Sequence, residues 1–253
     1  MPDTYARIAI VTGTTSGIGE ATMRKFTAAG YGVVGNGRTA DKLAALEKEI
    51  GPAFCSVAGD ASDPAVVARL FAKAEEAFGR AADIVVANAG RGLGGSVKDA
   101  DLSQFEDMFK VNVGGVAALI QQAARKMTTA QETAYPQSAA DIVIIGSVVG
   151  RHISPFSAVY GATKFAVHAL VEGLRREIGS KGVRVSLVEP GAVVSGFQAA
   201  AGYDDDVVAS FHEKFGPLLA GDDIAAAVHH IVSQPPHVHI SDIVVRPTRQ
   251  DYP

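Results

Sequence analysis

The chain reads as an α/β protein with a parallel sheet of seven strands sandwiched between helices. Two observations lead there. Short runs rich in β-branched residues alternate with longer helical patterns along the sequence, the rhythm of βα units joined by right-handed crossovers. The runs are also apolar throughout instead of alternating with polar residues, so both faces of each strand are expected to be covered. At 253 residues the chain suits one domain with a substantial core, and residues 1–253 are read as a single unit.

Strands are expected from Ile8 to Val11, Gly32 to Gly35, Phe54 to Val57, Ile84 to Ala87, Ile142 to Ile145, Val183 to Val188 and Ile243 to Val245. Helices are expected to begin near Gly17, Asp41, Asp63, Ser103, Ala158, Asp204 and Asp222; several are opened by Asp or Ser, which cap free N–H groups. Two segments break the rhythm. Thr128 to Ala140 is polar and holds Pro136, which cannot continue a helix, so it reads as a surface loop. Gly191 to Pro217 is rich in Ala and Gly, carries Asp204-Asp205-Asp206 and follows the sixth strand. Ligands of open parallel sheets bind beyond the carboxyl ends of strands, so residues 191–217 are read either as a substrate-covering lid or as a solvated excursion.

Bulk properties narrow the function classes. A net charge of −4 and a pI near 6.0 give no basic footprint for nucleic acid and no cationic face for membranes. Met1 through Arg7 leads into Ile8-Ala9-Ile10-Val11 without the longer apolar core and cleavage site of a signal peptide. No apolar stretch approaches the ~18 residues needed to span a bilayer. Cys55 is the only cysteine, so no internal disulfide forms, which suits a reducing compartment; it reads as a small apolar residue on a strand. The expectation is a soluble, cytoplasmic protein.

The chemistry sits in Tyr160-Gly161-Ala162-Thr163-Lys164, with Ser147 upstream. Residues four apart on a helix are neighbours, about 5–6 Å between Cβ atoms, so phenol and ammonium can share one cleft. A phenol titrates near ~10 and needs a nearby positive charge to serve as a base at neutral pH. Lys164 could supply it, although the same pair alone could be packing with a solvated end.

The other end of the site is nucleotide-like. Thr12-Gly13-Thr14-Thr15-Ser16-Gly17-Ile18-Gly19 follows the first strand and opens the first helix. Glycines there let backbone approach a ligand, and a helix N-terminus offers N–H donors to a pyrophosphate. Its spacing is not the commoner G-x-G-x-x-G, so a tight strand-to-helix turn is the competing reading. The second strand runs into Val33-Val34-Gly35-Asn36-Gly37-Arg38, with no acid to grip a ribose 2′-hydroxyl. Arg38 could instead pair with a 2′-phosphate, which points to NADP; it could also be a plain turn arginine. Asp60 could accept from the adenine amine or cap the helix near Asp63. Asn88-Ala89-Gly90 after the fourth strand again supplies small residues.

Together these motifs resemble the short-chain dehydrogenase/reductase family over nearly the whole chain. Thr12 to Gly19 is similar to its cofactor loop, Asn88-Ala89-Gly90 to its N-A-G element, and Asn112, Ser147, Tyr160 and Lys164 to its catalytic tetrad; Pro190-Gly191 follows the sixth strand as in the family. Ala87 stands where many members carry another Asn, and Ser195 where many carry Thr. The resemblance implies a Rossmann-type, doubly wound fold and hydride transfer between NADP(H) and a small carbonyl or alcohol. Tyr160 would give the proton, Ser147 would hydrogen-bond the developing alkoxide, Lys164 would lower the Tyr160 pKa and bind the ribose, and Asn112 would hold a water linking Lys164 to solvent. Asn112 could alternatively satisfy backbone groups at a helix kink near Gly114-Gly115. Cofactor contacts implied are Gly13, Thr15, Ser16, Gly17, Ile18, Gly19, Arg38, Asp60, Ala61, Asn88, Ala89, Gly90, Tyr160, Lys164, Pro190, Gly191, Val193 and Ser195.

Substrate contacts are less defined: Arg151, His152 and Ser154 lie between Ser147 and Tyr160 and could orient a polar substrate. His229, His230, His237 and His239 lack a completing carboxylate, so no metal site is read. The stretch His237 to Gln250, with Arg246-Pro247-Thr248-Arg249-Gln250, resembles NADP-dependent members acting on small hydroxy acids, aldehydes and ketones. By the same resemblance a homodimer or homotetramer would form through the helices carrying Asn112 and Tyr160. Reduction of a 3-oxoacyl thioester is the alternative enzyme reading, but Arg125-Lys126 and Arg175-Arg176 make no evident patch for an acidic carrier protein. A nonenzymatic NADP-binding sensor or scaffold is the alternative of another class, and the intact Ser147, Tyr160 and Lys164 argue against it.

Overall fold

The computed structural model describes residues 5–203 and 205–253. Seven strands form one sheet: β1 (Ile8–Thr12), β2 (Gly32–Gly37), β3 (Phe54–Ala58), β4 (Ile84–Ala87), β5 (Ala140–Ile145), β6 (Val183–Pro190) and β7 (Asp242–Val245). Every pairing is parallel, in the order β3-β2-β1-β4-β5-β6-β7. The order reverses between β1 and β4, and a crevice opens there at the carboxyl edge.

The apolar strands are buried on both sides because successive side chains point oppositely. Ile8 and Ile10 enter a core with Leu70, Leu119 and Val167. These belong to α3 (Pro64–Phe78), α5 (Val116–Ala134) and α6 (Ala158–Ile178). Ala9 and Val11 enter the opposite core with Met23, Leu43 and Ile224, from α1 (Gly17–Ala28), α2 (Ala40–Ile50) and α9 (Gly221–Val232). Asp63 caps α3 by accepting from Ala65 N with Pro64 in the first turn, and Gly79 ends it at φ 70°, the start and stop chemistry expected of a helix. Cys55 is partly buried on β3, where burial pushes its thiol up to about 11; this fits the apolar reading.

Two expectations change. The segment from Thr128 is not a loop: α5 continues to Ala134, and Ala140 already opens β5. Its inner stripe of Ile120, Ala123, Ala124, Met127 and Gln131 is buried at helical spacing, while the outward polar residues imitate a loop. Pro136 does end the helix, leaving a connection over 135–139. The helix expected near Ser103 is a 3-10 turn (Leu102–Gln104) capped by Asp101, followed by α4 (Phe105–Phe109) and a π-helical stretch (Lys110–Gly115) that leads into α5. Asp204 lies outside the described residues, and its helix, α8, spans Asp205–Phe215. Among the described residues, no helix is long and apolar enough to cross a membrane.

At the amino edge, neighbouring strands bring Asp141 and Arg184 side by side. Arg184 Nε donates to Asp141 Oδ1 at 2.8 Å and Arg7 Nη1 to Oδ2 at 2.7 Å. The carboxylate is wholly buried and Arg184 nearly so; remaining guanidinium donors reach the carbonyls of Gln234, Pro235 and Val238. Removing one partner strands a buried charge. Asp141→Ala is therefore expected to cost about 3–5 kcal/mol, and a urea midpoint equal to that of the wild type would contradict it.

Candidate active site

β1 ends at Thr12, and the chain must turn at once into α1. Gly13 and Gly17 take φ 74° and 56°, a region that disfavours residues with a Cβ. A Cβ on Gly19 would lie 2.2 Å from Gly13 O, and one on Gly13 2.8 Å from Asn88 Nδ2. These glycines leave a cradle that side chains would fill. Thr12 Oγ1 accepts from the N–H groups of Asn88 and Ala89, both at 3.0 Å, and Asn88 Nδ2 donates back to Thr12 O at 2.8 Å. Ser16 is extended before α1 and its side chain makes no capping bond, leaving first-turn N–H groups for a ligand.

The expected nucleotide residues gather along this edge. Gly37 packs under Thr15, 2.5 Å from a built Cβ to Thr15 Cγ2, and Arg38 emerges exposed beside it. Asp60 does not cap the following helix, a role Asp63 fills; its Oδ1 accepts from Ser62 N at 2.9 Å. That backbone hydrogen bond chiefly holds its carboxyl below the usual range, with help from Lys110 and Arg38. Ala61 lies close to Gly115 of the π-helical stretch. Gly90 faces Asn112, and Ile18 packs on the core. Past Pro190, Gly191 N donates to Val245 O and Ala192 N to Gln250 Oε1. Buried Val193 bridges Leu219. Ser195 lies over the start of α1, with its Cβ 3.4 Å from a Cβ built on Gly17.

Ser147 follows β5 in an extended conformation, and α6 presents Tyr160 and Lys164 to it from a buried face. Lys164 Nζ donates to Ile145 O at 2.9 Å and lies 5.8 Å from the Tyr160 ring centroid. Burial dominates both titrations. The Tyr160 phenol is pushed above its ordinary value, opposed by its hydrogen bond with Ser147, while burial lowers Lys164 to about 8. The expectation that Lys164 holds the phenol down is thus not what these side chains produce; desolvation outweighs it. Asn112 sits in the π-helical stretch. Its Oδ1 accepts from Arg91 N at 2.8 Å, and its Nδ2 donates to Arg91 O and Thr163 Oγ1. Its side chain thus satisfies backbone groups, those of Arg91 and not of the kink near Gly114-Gly115.

Two aromatics that sequence reasoning missed complete the site. Phe197, in α7 (Phe197–Ala200), lies against Tyr160 with ring centroids 5.5 Å apart. Tyr203 packs on Gly94, and the chain between them is pinned by Gly94 N donating to Ala201 O at 3.0 Å. Two aromatics in an Ala/Gly-rich stretch were the available signal. Arg151 is held by carboxylates: it binds Glu189 through Nε at 3.0 Å and Nη2 at 2.5 Å, and Asp242 at 3.3 Å. Ser154 caps a short turn through Phe156 N, and His152 is exposed. His229 packs on Phe26 and Tyr31, and His239 bonds Val185 O. Among the described residues, no His, Cys, Asp or Glu group could hold a metal.

A glycine cradle at the sheet's reversal point, with a buried phenol and ammonium and a half-buried hydroxyl beyond the strand ends, is the arrangement of a nucleotide-binding α/β enzyme. The profile of the short chain dehydrogenases matches residues 7–206. A serine 3-dehydrogenase of Rhizobium radiobacter is 33% identical over 246 residues, 96% of this chain and 94% of its own. The closed form of serine dehydrogenase complexed with NADP+ superimposes with a TM-score of 0.88 at 28% identity, covering 97% of this chain and 96% of that one. The 3-ketoacyl-(acyl-carrier-protein) reductase from Brucella melitensis, complexed with NADH, gives 0.86 at 26%, covering 97% and 98%. The chain belongs to the short-chain dehydrogenase/reductase family and is an oxidoreductase.

Thr12 offers a test of the cradle. Thr12→Val keeps the shape and strands the N–H groups of Asn88 and Ala89, so stability should fall by about 2 kcal/mol. For a chain of this length that is a fall of about 4–8 °C in Tm. A wild-type melting curve would show that the bonds do not hold the two loops together.

Proposed function

We propose that the protein moves a hydride between NADP(H) and a small carbonyl or alcohol, with Tyr160 as the general acid and base. The observation that carries this reading is the meeting of the half-buried Ser147, hydrogen-bonded to Tyr160, with the buried Tyr160 and Lys164 beyond the strand ends. A phenol above its ordinary pKa is fully protonated at neutral pH, which suits proton donation to a carbonyl oxygen. Ser147 donates a hydrogen bond to the same oxygen as charge develops. Lys164 would hold the cofactor's ribose, and in the oxidation direction its charge would offset part of the desolvation of the phenolate. When bound, NADP(H) would supply or accept the hydride. The glycine cradle fits its pyrophosphate, with Gly13, Ser16, Gly17 and Gly19 against the phosphates and Arg38 available to a 2′-phosphate.

Residues 191–217 serve as the cover. Their base is tied by Val194 N to Leu219 O and Leu219 N to Ala192 O, and Phe197 and Tyr203 keep water from the phenol. Such a cover suits a small substrate; a thioester arm would have to displace it, so the 3-oxoacyl reading is disfavoured despite the likeness to the Brucella enzyme. We also read the protein as a cytoplasmic homodimer or homotetramer. Phe109 on α4, with Phe165 and Leu170 on α6, leaves apolar surface exposed, which supports association through this side.

Two substitutions test the reading. Tyr160→Phe should lower kcat by about 10²- to 10⁴-fold while the NADPH Kd stays within about 3-fold; turnover equal to the wild type in a propanal, 2-butanone and L-serine screen would sink the mechanism. Arg38→Ala should weaken NADPH by about 10- to 100-fold, the worth of one charge-assisted pair, and leave NADH unchanged in a fluorescence titration. A wild type that prefers NADH would overturn the cofactor assignment.

A further inference from the structure

Against the turn that carries Ser147 lies a partly buried histidine, His168, that the proposed chemistry does not use. His168 follows Lys164 by four residues on α6, so the two side chains leave the same helix face. Its imidazole is wedged into the turn that carries Ser147. Cβ atoms built on Gly146 and Gly150 would lie 2.4 and 2.5 Å from the ring, so only glycine at both positions admits it. Nε2 accepts the Ser147 N–H at 3.4 Å.

The other ring nitrogen faces a fixed charge. Nδ1 lies 3.8 Å from Oε2 of Glu189, which is wholly buried on β6. Arg151 grips both oxygens of that carboxylate and extends to Asp242 on β7. Burial, with Lys164 and Arg151, holds the imidazole down to about 4 against the pull of Glu189. Glu189 is already matched by Arg151, so little of its charge is left to recruit a proton. The neutral ring is the form that can accept from Ser147, and an accepting Nε2 puts the proton on Nδ1, toward the carboxylate. Arg151, His168, Glu172, Arg175 and Asp242 also border a cleft of about 220 Å³. The acids and bases lining it are paired with one another, Arg175 with Glu172 and Arg151 with Glu189 and Asp242.

We infer that His168 is a positioning residue for Ser147: clamped by Glu189 and Arg151, it holds the Ser147 main chain so that the hydroxyl meets the reacting oxygen beside Tyr160. This rests on the proposed role of Ser147 in carbonyl chemistry. The hydroxyl gains from being fixed before reaction, because a preorganised donor costs no reorganisation when charge develops. The clamp acts through the Ser147 main chain, so its effect should fall on kcat.

The full-length protein tests this with propanal and NADPH as probes. His168→Leu removes the acceptor while filling much of the space; kcat should drop by about 10- to 100-fold, less than the ~100- to 1,000-fold loss of deleting a transition-state donor outright. The propanal KM and NADPH Kd should stay within about 2-fold. His168→Gln places Oε1 at the reach of Nε2, and it should restore kcat to within about 3-fold of wild type. Equal kcat in His168→Leu, or a His168→Gln variant as slow as His168→Leu, would overturn the inference.

An arm without turnover separates this from failure of the functional reading and does not depend on a folded variant. In the wild-type protein labelled with ¹⁵N-histidine, His168 should remain neutral with its proton on Nδ1 from pH 8 to about 5, well below the ordinary histidine value near ~6.5. A proton on Nε2, or titration at the ordinary value, would refute the clamp even if propanal proves not to be a substrate.

Discussion

The carboxyl edge of the sheet depends on how closely β1, β4 and the first turn of α1 approach one another, and Thr12 with Asn88 holds that approach. β1 and β4 pair up to Val11 and Val86. One residue further the ladder gives way to side chains, with Thr12 accepting two N–H groups and Asn88 returning one. These bonds replace the sheet's own pattern where the chains must splay. Gly13 and Gly19 are forced by the same closeness, since Cβ atoms there would overlap Asn88 or the loop's carbonyl. The cradle is therefore a product of packing as much as of ligand recognition, and the two demands coincide because a backbone that can meet another backbone can also meet a phosphate.

Burial sets the electrostatics around Tyr160 and Lys164. Tyr160 and Lys164 are both buried, and each shifts toward its neutral form. The lysine keeps Ile145 O as a partner, the phenol keeps Ser147, and Phe197 closes over the ring. A proton shared among such groups is governed by whichever new charge enters the site, because few local water molecules remain to screen it. Phe197, packed against the Tyr160 ring, is part of the surroundings that make the Tyr160–Lys164 pair responsive to charge.

What could be read from the sequence was the part that packing dictates locally. Continuous apolar runs such as Ile8 to Val11 and Val183 to Val188 carry their double-sided burial in their composition, so strand number and sheet class followed. Tyr160 and Lys164 are one helical turn apart and needed no tertiary information. The stretch from Thr128 to Ala134 misled because its outward residues are polar while Met127 and Gln131 continue a buried stripe, and a partner surface cannot be seen in one segment. The ion pair of Arg151 was hidden for the same reason: Glu189, its partner, lies 38 residues away. Phe197 and Tyr203 took meaning only once Gly92 and Gly94 were seen to lie beneath them.

Two buried carboxylates show why burial alone does not mark a functional group. Asp141, at the amino edge, is met by Arg7 and Arg184, and surplus guanidinium donors end on carbonyls of the segment after α9. Every charge there is answered by another fixed charge or a backbone dipole, so the cluster ties β1, β5 and β6 together. Glu189, at the carboxyl edge, is also matched by an arginine, but its second neighbour is His168, and that ring accepts from Ser147. The chemistry of the two ion pairs is the same; the difference is what the carboxylate's other neighbour touches. An arginine leading to carbonyls ends in structure, whereas an imidazole leading to the main chain of Ser147 connects the ion pair to the serine beside the buried phenol.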